Sequence, residues 1–158
     1  MLHDPNLASS ITYGWENFPD MIGEAMPFLR AYFDESQLFP ELGMEPDLAT
    51  FFELARHGRF RVFCARRAGY LIGVNSFMVG GTLLRVNCPQ AWGFILVLSP
   101  AERIGWTGYK LLKLPEASFR EWGIKLVGYT PSSKSTDIGP LLLRLGYKRA
   151  QASYEKML

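Results

Sequence analysis

The chain has 158 residues, of which 48% are hydrophobic and 14% aromatic, with 17 basic against 15 acidic side chains and a net charge of +2. This composition excludes a disordered chain, and the length predicts a single domain over residues 1–158 that buries a sizeable core. The sequence has no basic stripe for a nucleic acid, no apolar run for a membrane span and no Cys or His spacing for a metal, so we expect none of these three partners.

The N-terminal third predicts two helices joined by a loop. Residues 15–35 form an aromatic-rich helical region that we expect to be interrupted near Pro27. Residues 47–57 carry an apolar face and are followed by Gly58, and glycine commonly ends a helix, so they predict a second helix. Residues 36–46 contain two prolines and a glycine, which is typical of a loop.

A β-hairpin is predicted next. In residues 59–67 apolar side chains alternate with arginines, which is the pattern of a half-buried strand. A turn at Ala68-Gly69 returns the chain as a second strand that runs to Val79. We expect Gly80-Gly81 to break this strand and residues 83–87 to continue the sheet.

The most informative stretch runs from a buried strand through a polar turn into an amphipathic helix. Pro89 interrupts the chain, and residues 91–98 then predict a strand whose last four residues, 95–98, are all apolar, as in strands covered on both faces. Pro100 ends it. The turn that follows offers the unpaired backbone N–H groups of a helix start, and Arg103 adds a fixed positive charge, so this turn is a candidate phosphate site.

The C-terminal third predicts further alternation of helices and strands. The helix after the polar turn contains Pro115, so we expect a bend near residues 111–114. Residues 124–130 predict a strand, and a Pro/Ser turn leads from it to a short helix that ends at Gly146. Residues 147–158 predict a final strand.

Three segments of the sequence carry a family resemblance: the polar turn, a charged hairpin turn before an aliphatic strand, and a leucine-rich helix that meets Leu-Gly-Tyr and a closing strand. They are Arg103-Ile104-Gly105-Trp106-Thr107-Gly108, Arg66-Arg67-Ala68-Gly69-Tyr70-Leu71-Ile72-Gly73, and Leu141-Leu142-Leu143-Arg144-Leu145-Gly146-Tyr147 with Tyr154-Glu155-Lys156-Met157-Leu158. In this order they resemble the GNAT superfamily of acyl-CoA-dependent N-acetyltransferases. The family's turn reads Arg/Gln-x-x-Gly-x-Gly/Ala, and Trp106 stands at its first glycine. The resemblance spans residues 46–158 and is greatest to the short members of phages and prophages.

This resemblance implies a fold and an activity. The fold is α/β (α+β), with a mixed, mostly antiparallel twisted sheet of six to seven strands flanked by about four helices. The activity is transfer of an acetyl group from acetyl-CoA to the primary amine of a small molecule or a protein. The setting is the cytoplasm of a bacterial or phage-infected cell, and a homodimer is one assembly we keep open.

The resemblance also implies which residues form the site. The cofactor is held by backbone groups of the fourth strand and by the polar turn, that is by Leu96, Val97, Leu98, Arg103, Ile104, Gly105, Trp106, Thr107 and Gly108. Acidic residues near the expected acceptor site could attract a cationic amine, and these are Asp34, Glu35, Glu41 and Glu45.

The side chains that usually perform proton transfer in the family are missing. Residues 92–95 contain no carboxylate that could act as a general base, and Leu142 stands where a proton-donating tyrosine is usual. Tyr129 and Tyr147 are the remaining candidate catalytic residues, and packing is the alternative role for each. A second hypothesis therefore stays open: a protein of this fold that has lost turnover and serves as a phage particle component or a host-protein binder.

Overall fold

A five-stranded sheet organises the chain in the computed structural model, which describes residues 10–158. The strands are β1 (Ile11–Glu16), β2 (Phe60–Arg67), β3 (Tyr70–Thr82), β4 (Arg85–Leu98) and β5 (Leu126–Tyr129). The helices are α1 (Phe18–Ser36), α2 (Leu48–Arg56), α3 (Thr107–Lys113), α4 (Pro115–Glu121) and α5 (Gly139–Arg144), with 3-10 turns at Pro40–Leu42 and Pro100–Glu102. The predicted fold class is confirmed.

The strands lie in chain order, β1-β2-β3-β4-β5. The first three pairings are antiparallel, and only β4 and β5 are parallel, because the crossover through α3 and α4 brings the chain back in the same direction. The two faces of the sheet pack against different helices. One face packs against α1 and α2 around Phe18, Val62 and Val97, and the other packs against α3 and α4 around Phe77, Leu111 and Phe119.

This double coverage corrects the prediction of a half-buried β2. Four consecutive residues in the middle of β2, from Val62 to Ala65, alternate between the two faces, and all four are buried. The arginines at its C-terminal end remain accessible because they lie at the rim of the sheet. Arg66 there donates to Glu16 of β1 and to Glu24 of α1, which ties three elements together.

The predictions for the N-terminal region were partly wrong. Residues 11–16 form β1, which includes the first two residues of the predicted helical region 15–35, because Ile11, Tyr13 and Trp15 all pack on the α3 side of the sheet. Helix α1 also runs through Pro27 without a break. Pro27 is exposed, and the residue one turn before it is the exposed Gly23, whose carbonyl can tilt toward water away from the proline ring.

The β3–β4 hairpin is longer than predicted. Neither Gly80-Gly81 nor Pro89 ends a strand, and the hairpin extends beyond the ends of β2 and β5. Among residues 10–158 no strand pairs with the outer edges of this projecting part, so a proline with no N–H costs no ladder hydrogen bond. The register shift between Gly80 and Thr82 absorbs the irregularity that the glycines cause.

The predicted final strand and the predicted count of six to seven strands were wrong. In residues 10–158 the sheet has five strands, and residues 147–158 form no regular structure. The edge strand nearest to α5 in the chain is β5, which has four residues, and a template this short offers few ladder hydrogen bonds to offset the entropy of ordering the tail. The side chains of residues 148–158 are accordingly exposed.

The third predicted helix is interrupted at the expected place. Leu114 separates α3 from α4, and Pro115 occupies the first position of α4, where a helix has no use for its N–H. The apolar face of both halves, including Leu111, Leu112 and Phe119, is buried against the sheet as predicted. Among the described residues no helix combines the length and apolarity that crossing a membrane requires.

Replacing Phe119 by alanine should lower the free energy of unfolding by about 3–5 kcal/mol, the range for a buried phenylalanine. Its ring is 2% exposed and contacts those of Trp15, Phe77 and Trp122. Denaturant unfolding measures the change. Tyr70→Ala is the control, because Tyr70 is 75% exposed and its loss should change stability by less than about 0.5 kcal/mol. Equal losses in the two variants would contradict this description of the core.

Candidate functional site

The parallel strands β4 and β5 separate after a short contact. They pair only from Gln90 with Leu126 to Gly93 with Tyr129, whereas β4 continues to Leu98. A cavity of about 270 Å³ lies where they diverge. Its lining includes Leu96, Leu98, Arg103, Gly108, Tyr129 and Thr130. The divergence thus opens a gap within the sheet, between the strand end and the start of α3.

Backbone groups of β4 face this gap. In an antiparallel ladder, hydrogen-bonded pairs alternate with pairs whose backbone groups point away from each other. The Ser99 N–H donates to the Ile72 carbonyl, so by alternation Val97 is bonded to β3, whereas Leu96 and Leu98 point toward the side that β5 has left. The Leu98 carbonyl there accepts from Arg103, which leaves the Leu96 N–H and C=O available in the gap.

A β-bulge lies on β4 at the point of divergence. Ser76 pairs with Ile95 and Phe77 with Gly93, so Phe94 is the extra residue between them. The Ser76 hydroxyl accepts from the Ile95 N–H at 3.0 Å and thereby satisfies a backbone group that the irregular ladder leaves free. Phe94 remains 46% exposed and packs near Phe51, so an aromatic side chain stands beside the gap where a carboxylate would be usual in the resembled family.

The predicted phosphate turn presents free backbone donors. Across the described chain, no backbone acceptor pairs with the N–H groups of residues 104–109. Gly105 has a φ of 79°, a conformation that favours glycine, and Ile104 and Trp106 beside it point into solvent. Thr107 is buried, and Gly108 lies at the cavity wall. Such a turn suits an anion.

Two ion pairs fix the position of this turn. Glu102 accepts two hydrogen bonds from Arg67 of β2, and this bonding holds the pKa of the Glu102 carboxyl below its usual value. Arg103 donates to the Leu98 carbonyl at 2.9 Å and to Glu35 of α1 at 2.6 Å. The guanidinium of Arg103 is therefore held at the cavity mouth with a carboxylate beside it.

Tyr129 lies across the sheet from β5 toward β3. Its ring covers Gly93 of β4 so closely that a Cβ on this glycine would overlap the ring, and Trp92 covers Gly128 of β5 in the same way. The Tyr129 hydroxyl accepts a hydrogen bond from Asn75 Nδ2 at 2.9 Å. Burial raises the pKa of Tyr129 well above the usual value for tyrosine, so the phenol is protonated at neutral pH.

Asn75 is the functional residue that sequence reasoning missed. It is fully buried on β3 and, besides Tyr129, its Nδ2 donates to the Leu111 carbonyl at 3.0 Å. Pro115, four residues after Leu111, has no N–H to bond this carbonyl as a normal helix would. The only available signal was an amide side chain in the middle of an apolar strand, which must find partners once it is buried.

Tyr147 is the second candidate tyrosine. Its ring centroid lies 5.7 Å from that of Tyr129, and burial, followed by the nearby Glu116 carboxylate, raises the pKa of Tyr147 to about 12. Its hydroxyl is buried, and no described residue bonds it. Leu142, at the usual donor position, is buried, and its side chain has no polar atom that could donate a proton. The structure thus brings the two tyrosines together.

A second, larger groove of about 1420 Å³ adjoins the cavity. Tyr129, Thr130, Pro131 and Ser132 line both spaces, so the two meet at the end of β5. The loop after β5 is joined to the C-terminal end of α1, because Ser132 and Lys134 donate to the carbonyls at residues 36 and 37. These bonds satisfy helix-end carbonyls and hold the wall between the two spaces in place.

The acidic residues expected at the acceptor site do not cluster. Glu35 lines the smaller cavity and is paired with Arg103. Asp34, Glu41 and Glu45 are exposed, and none of them lines either of the two spaces. The start of the α1–α2 loop, at Gln37 and Leu38, lines the larger groove, but the part that carries Glu41 and Glu45 lies outside both linings.

The remaining reactive residue types lie away from this region. His57 caps the C-terminal end of α2, where its Nδ1 lies 2.9 Å from the Glu53 carbonyl, and His3 lies outside the described residues. Cys64 is buried, which raises the pKa of its thiol, and Cys88 is also unpaired. In residues 10–158, no three His, Cys, Asp or Glu residues are grouped so that they could hold a metal ion.

The sequence matches no protein-family model and no curated protein. Solved structures share its fold. One is a GCN5-related N-acetyltransferase from Ralstonia eutropha JMP134, with a TM-score of 0.73, 14% identity and coverage of 94% of this chain and 99% of that chain. Another is a predicted acetyltransferase from Clostridium acetobutylicum with acetyl-CoA (TM-score 0.69, 13% identity, coverage 94% and 96%). A third is an aminoglycoside acetyltransferase from an uncultured soil metagenomic sample in complex with sisomicin (TM-score 0.67, 15% identity, coverage 94% and 96%). The chain has the fold of these acetyltransferases.

Gly93→Ala should displace the Tyr129 ring and lower the free energy of unfolding by about 1–3 kcal/mol, as overpacking does. Gly14→Ala is the matched control, because Gly14 is also a strand glycine but a Cβ there meets no atom within 4 Å. Denaturant unfolding and near-ultraviolet circular dichroism measure stability and tyrosine packing. A Gly93→Ala protein that is indistinguishable from Gly14→Ala would refute the close contact between Gly93 and Tyr129.

Proposed function

We propose that this chain is an N-acetyltransferase that moves an acetyl group from acetyl-CoA to the primary amine of a small molecule or a protein. The observation that carries the proposal is the meeting of two spaces at Tyr129, one between the diverging strands and one on the far side of the same tyrosine. One space would hold the acyl donor and the other the amine, so that the reacting groups meet between them. The fold shared with acetyltransferases supports this assignment.

The smaller cavity fits acetyl-CoA. The free N–H and C=O of Leu96 are suited to the amides of a pantetheine arm, and Val97 and Leu98 continue the strand edge. The free N–H groups of the turn and the guanidinium of Arg103 are suited to a pyrophosphate, with Gly105 and Gly108 allowing close approach. Ile104, Trp106 and Thr107 complete the turn.

Acetyl-CoA, when bound, supplies the thioester that the amine attacks. The Leu96 N–H would donate to the carbonyl oxygen of this thioester and stabilise the negative charge that develops on it. Tyr129 and Tyr147 are the proposed proton donors to the departing sulfur, because both stay protonated at neutral pH. Since residues 92–95 hold no carboxylate, the amine would lose its proton through water.

For the acceptor amine, the cellular location and the assembly, we propose only the general class. Asp34, Glu35, Glu41 and Glu45 would attract a cationic amine by their charge, although only Glu35 lies at the cavity. The two unpaired cysteines suit a reducing cytoplasm, such as that of a bacterial or phage-infected cell where short phage-type members work. A homodimer is the assembly that we propose for the chain.

Acetyl-CoA should raise the melting temperature of the protein. A ligand that binds only the folded state at about 100-fold excess over its dissociation constant adds about 2.7 kcal/mol of stability. Differential scanning fluorimetry with millimolar acetyl-CoA measures this shift, and adenosine without phosphates serves as the control. Absence of a shift would overturn the acyl-CoA assignment. A shift in melting temperature without acetylation of any compound in a broad screen of amines and peptides would favour the non-catalytic alternative. That alternative applies to this chain because residues 92–95 hold no carboxylate and Leu142 stands at the usual donor position.

Replacing Arg103 should weaken CoA binding, whereas replacing its partner Glu35 should not. Arg103→Ala should weaken binding by about 1.5–3 kcal/mol, the range for a hydrogen bond to a charged group. Glu35→Gln removes the competing carboxylate, so it should leave binding equal or tighter. Calorimetry measures both, with Arg85→Ala, at the tip of the β3–β4 hairpin, as the control. If Arg103→Ala binds CoA as tightly as the wild type, the phosphates lie elsewhere.

A further inference from the structure

The side-chain amide of Asn75 has a fixed orientation in the core. It lies on β3 at 0% exposure, and its Nδ2 contacts two oxygens, the Leu111 carbonyl at 3.0 Å and the Tyr129 hydroxyl at 2.9 Å. A carbonyl can only accept, so the atom facing Leu111 must be the nitrogen and not the amide oxygen. The same nitrogen has no lone pair to offer, so the Tyr129 hydroxyl must accept from it.

This geometry fixes the role of the Tyr129 hydroxyl. Its oxygen uses one lone pair toward Asn75, so its own proton must point away from the amide. The Tyr129 proton makes no hydrogen bond to any of residues 10–158, and Asn75 Oδ1 and the Tyr147 hydroxyl are likewise buried without a hydrogen-bond partner there. A buried O–H with no acceptor is costly unless a ligand or water completes it.

The free side of Tyr129 faces functional space. Tyr129 lines the cavity between β4 and β5 as well as the adjoining groove. Asn75 pairs in register with Leu96, whose backbone is free in the same gap. The Asn75 amide, the Tyr129 phenol and the free backbone of Leu96 therefore lie at the same level along the strands.

We propose that Asn75 is a positioning residue for acetyl transfer, which holds the Tyr129 hydroxyl as a hydrogen-bond donor directed at the sulfur of the acyl donor. The assignment rests on the proposed function. Asn75 touches no substrate and acts through Tyr129. This assigns the proton donor to a residue of β5 that is held from β3, two strands away, in place of the helix position that Leu142 occupies.

The proposed step balances as follows. The amine nitrogen forms a bond to the thioester carbonyl carbon, and the C–S bond breaks with its electron pair going to sulfur. The Tyr129 O–H gives its proton to this sulfur and forms the CoA thiol. The proton that the amine nitrogen loses returns through water to the phenolate, so the products are the amide and the thiol.

A purely structural role for Asn75 must be separated from the positioning role. Asn75 also donates to the Leu111 carbonyl, which Pro115 leaves without a helix donor. Pro115→Ala restores a backbone N–H four residues after Leu111, so in this background the helix no longer depends on the amide. Variants of Asn75 are therefore compared in the wild type and in Pro115→Ala.

Kinetics test the coupling between the two residues through the release of CoA thiol. Tyr129→Phe should lower kcat by about 10²–10⁴-fold, the range for a general acid, and Asn75→Leu by about 10²-fold. Both should leave the KM for acetyl-CoA nearly unchanged. Asn75→Leu should lower kcat by the same factor when it is combined with Pro115→Ala, but it should lower kcat no further when it is combined with Tyr129→Phe. Asn75→Asp keeps the side-chain shape and accepts from Tyr129, so it should lower kcat as well. The positioning role would be overturned if the losses in kcat of Asn75→Leu and Tyr129→Phe were additive, or if Pro115→Ala abolished the loss caused by Asn75→Leu.

A second readout requires no turnover. A thioether analogue of acetyl-CoA should shift the Asn75 side-chain N–H resonances in ¹⁵N NMR spectra of the wild type, but not of Tyr129→Phe, because the effect travels through the phenol. Calorimetry on the same samples reports whether the analogue binds. Binding without a shift at Asn75 would overturn this inference and leave the proposed function standing. Failure of both acetyl-CoA and the analogue to bind would overturn the proposed function, and the inference with it.

Discussion

The buried amide of Asn75 connects the parts of this structure that are otherwise independent. Pro115 is needed where the third helix bends, but it leaves the Leu111 carbonyl without a donor inside the core. An unpaired buried carbonyl costs on the order of 1–3 kcal/mol, so the sheet must supply what the helix lacks. Asn75 does so with one hydrogen of its amide and uses the other to hold Tyr129. Helix bend, sheet and tyrosine therefore depend on one side chain.

The gap between β4 and β5 follows from a similar local constraint. The two strands approach closely only where each sets a glycine under an aromatic ring of the other, at Gly93 with Tyr129 and at Gly128 with Trp92. Beyond these pairs the bulge at Phe94 turns β4 away, and the chain after Tyr129 leaves toward the end of α1. A short parallel contact followed by divergence leaves backbone groups of β4 without a partner, and this is what a ligand can use.

Electrostatic interactions place the turn that follows. Arg67 and Glu102 attach it to β2, while Arg103 is shared between the Leu98 carbonyl and Glu35 of α1. These pairs are partly exposed, so each contributes little to stability, but together they set the orientation of the free N–H groups at residues 104–109. A bound anion would compete with Glu35 for Arg103, and this competition makes the pair sensitive to the ligand.

The sequence alone determined the β2–β3 hairpin, the helix bend at Pro115 and the strand-turn-helix stretch around Arg103, because local periodicity and Gly or Pro positions encode these features. The fold class followed from the resemblance of three of its segments to a known family. The tertiary structure decided the rest. Pro27 is tolerated because it faces solvent, residues 147–158 form no strand because β5 is too short a template, and β1 forms because β2 offers a partner. Asn75 could be noticed only as an amide in an apolar strand, and its role could not be recognised, since its partners lie 36 and 54 residues away along the chain. A hydrogen bond over such a separation leaves no repeating pattern in the sequence, and only the packing of helix on sheet brings its donor and acceptors together.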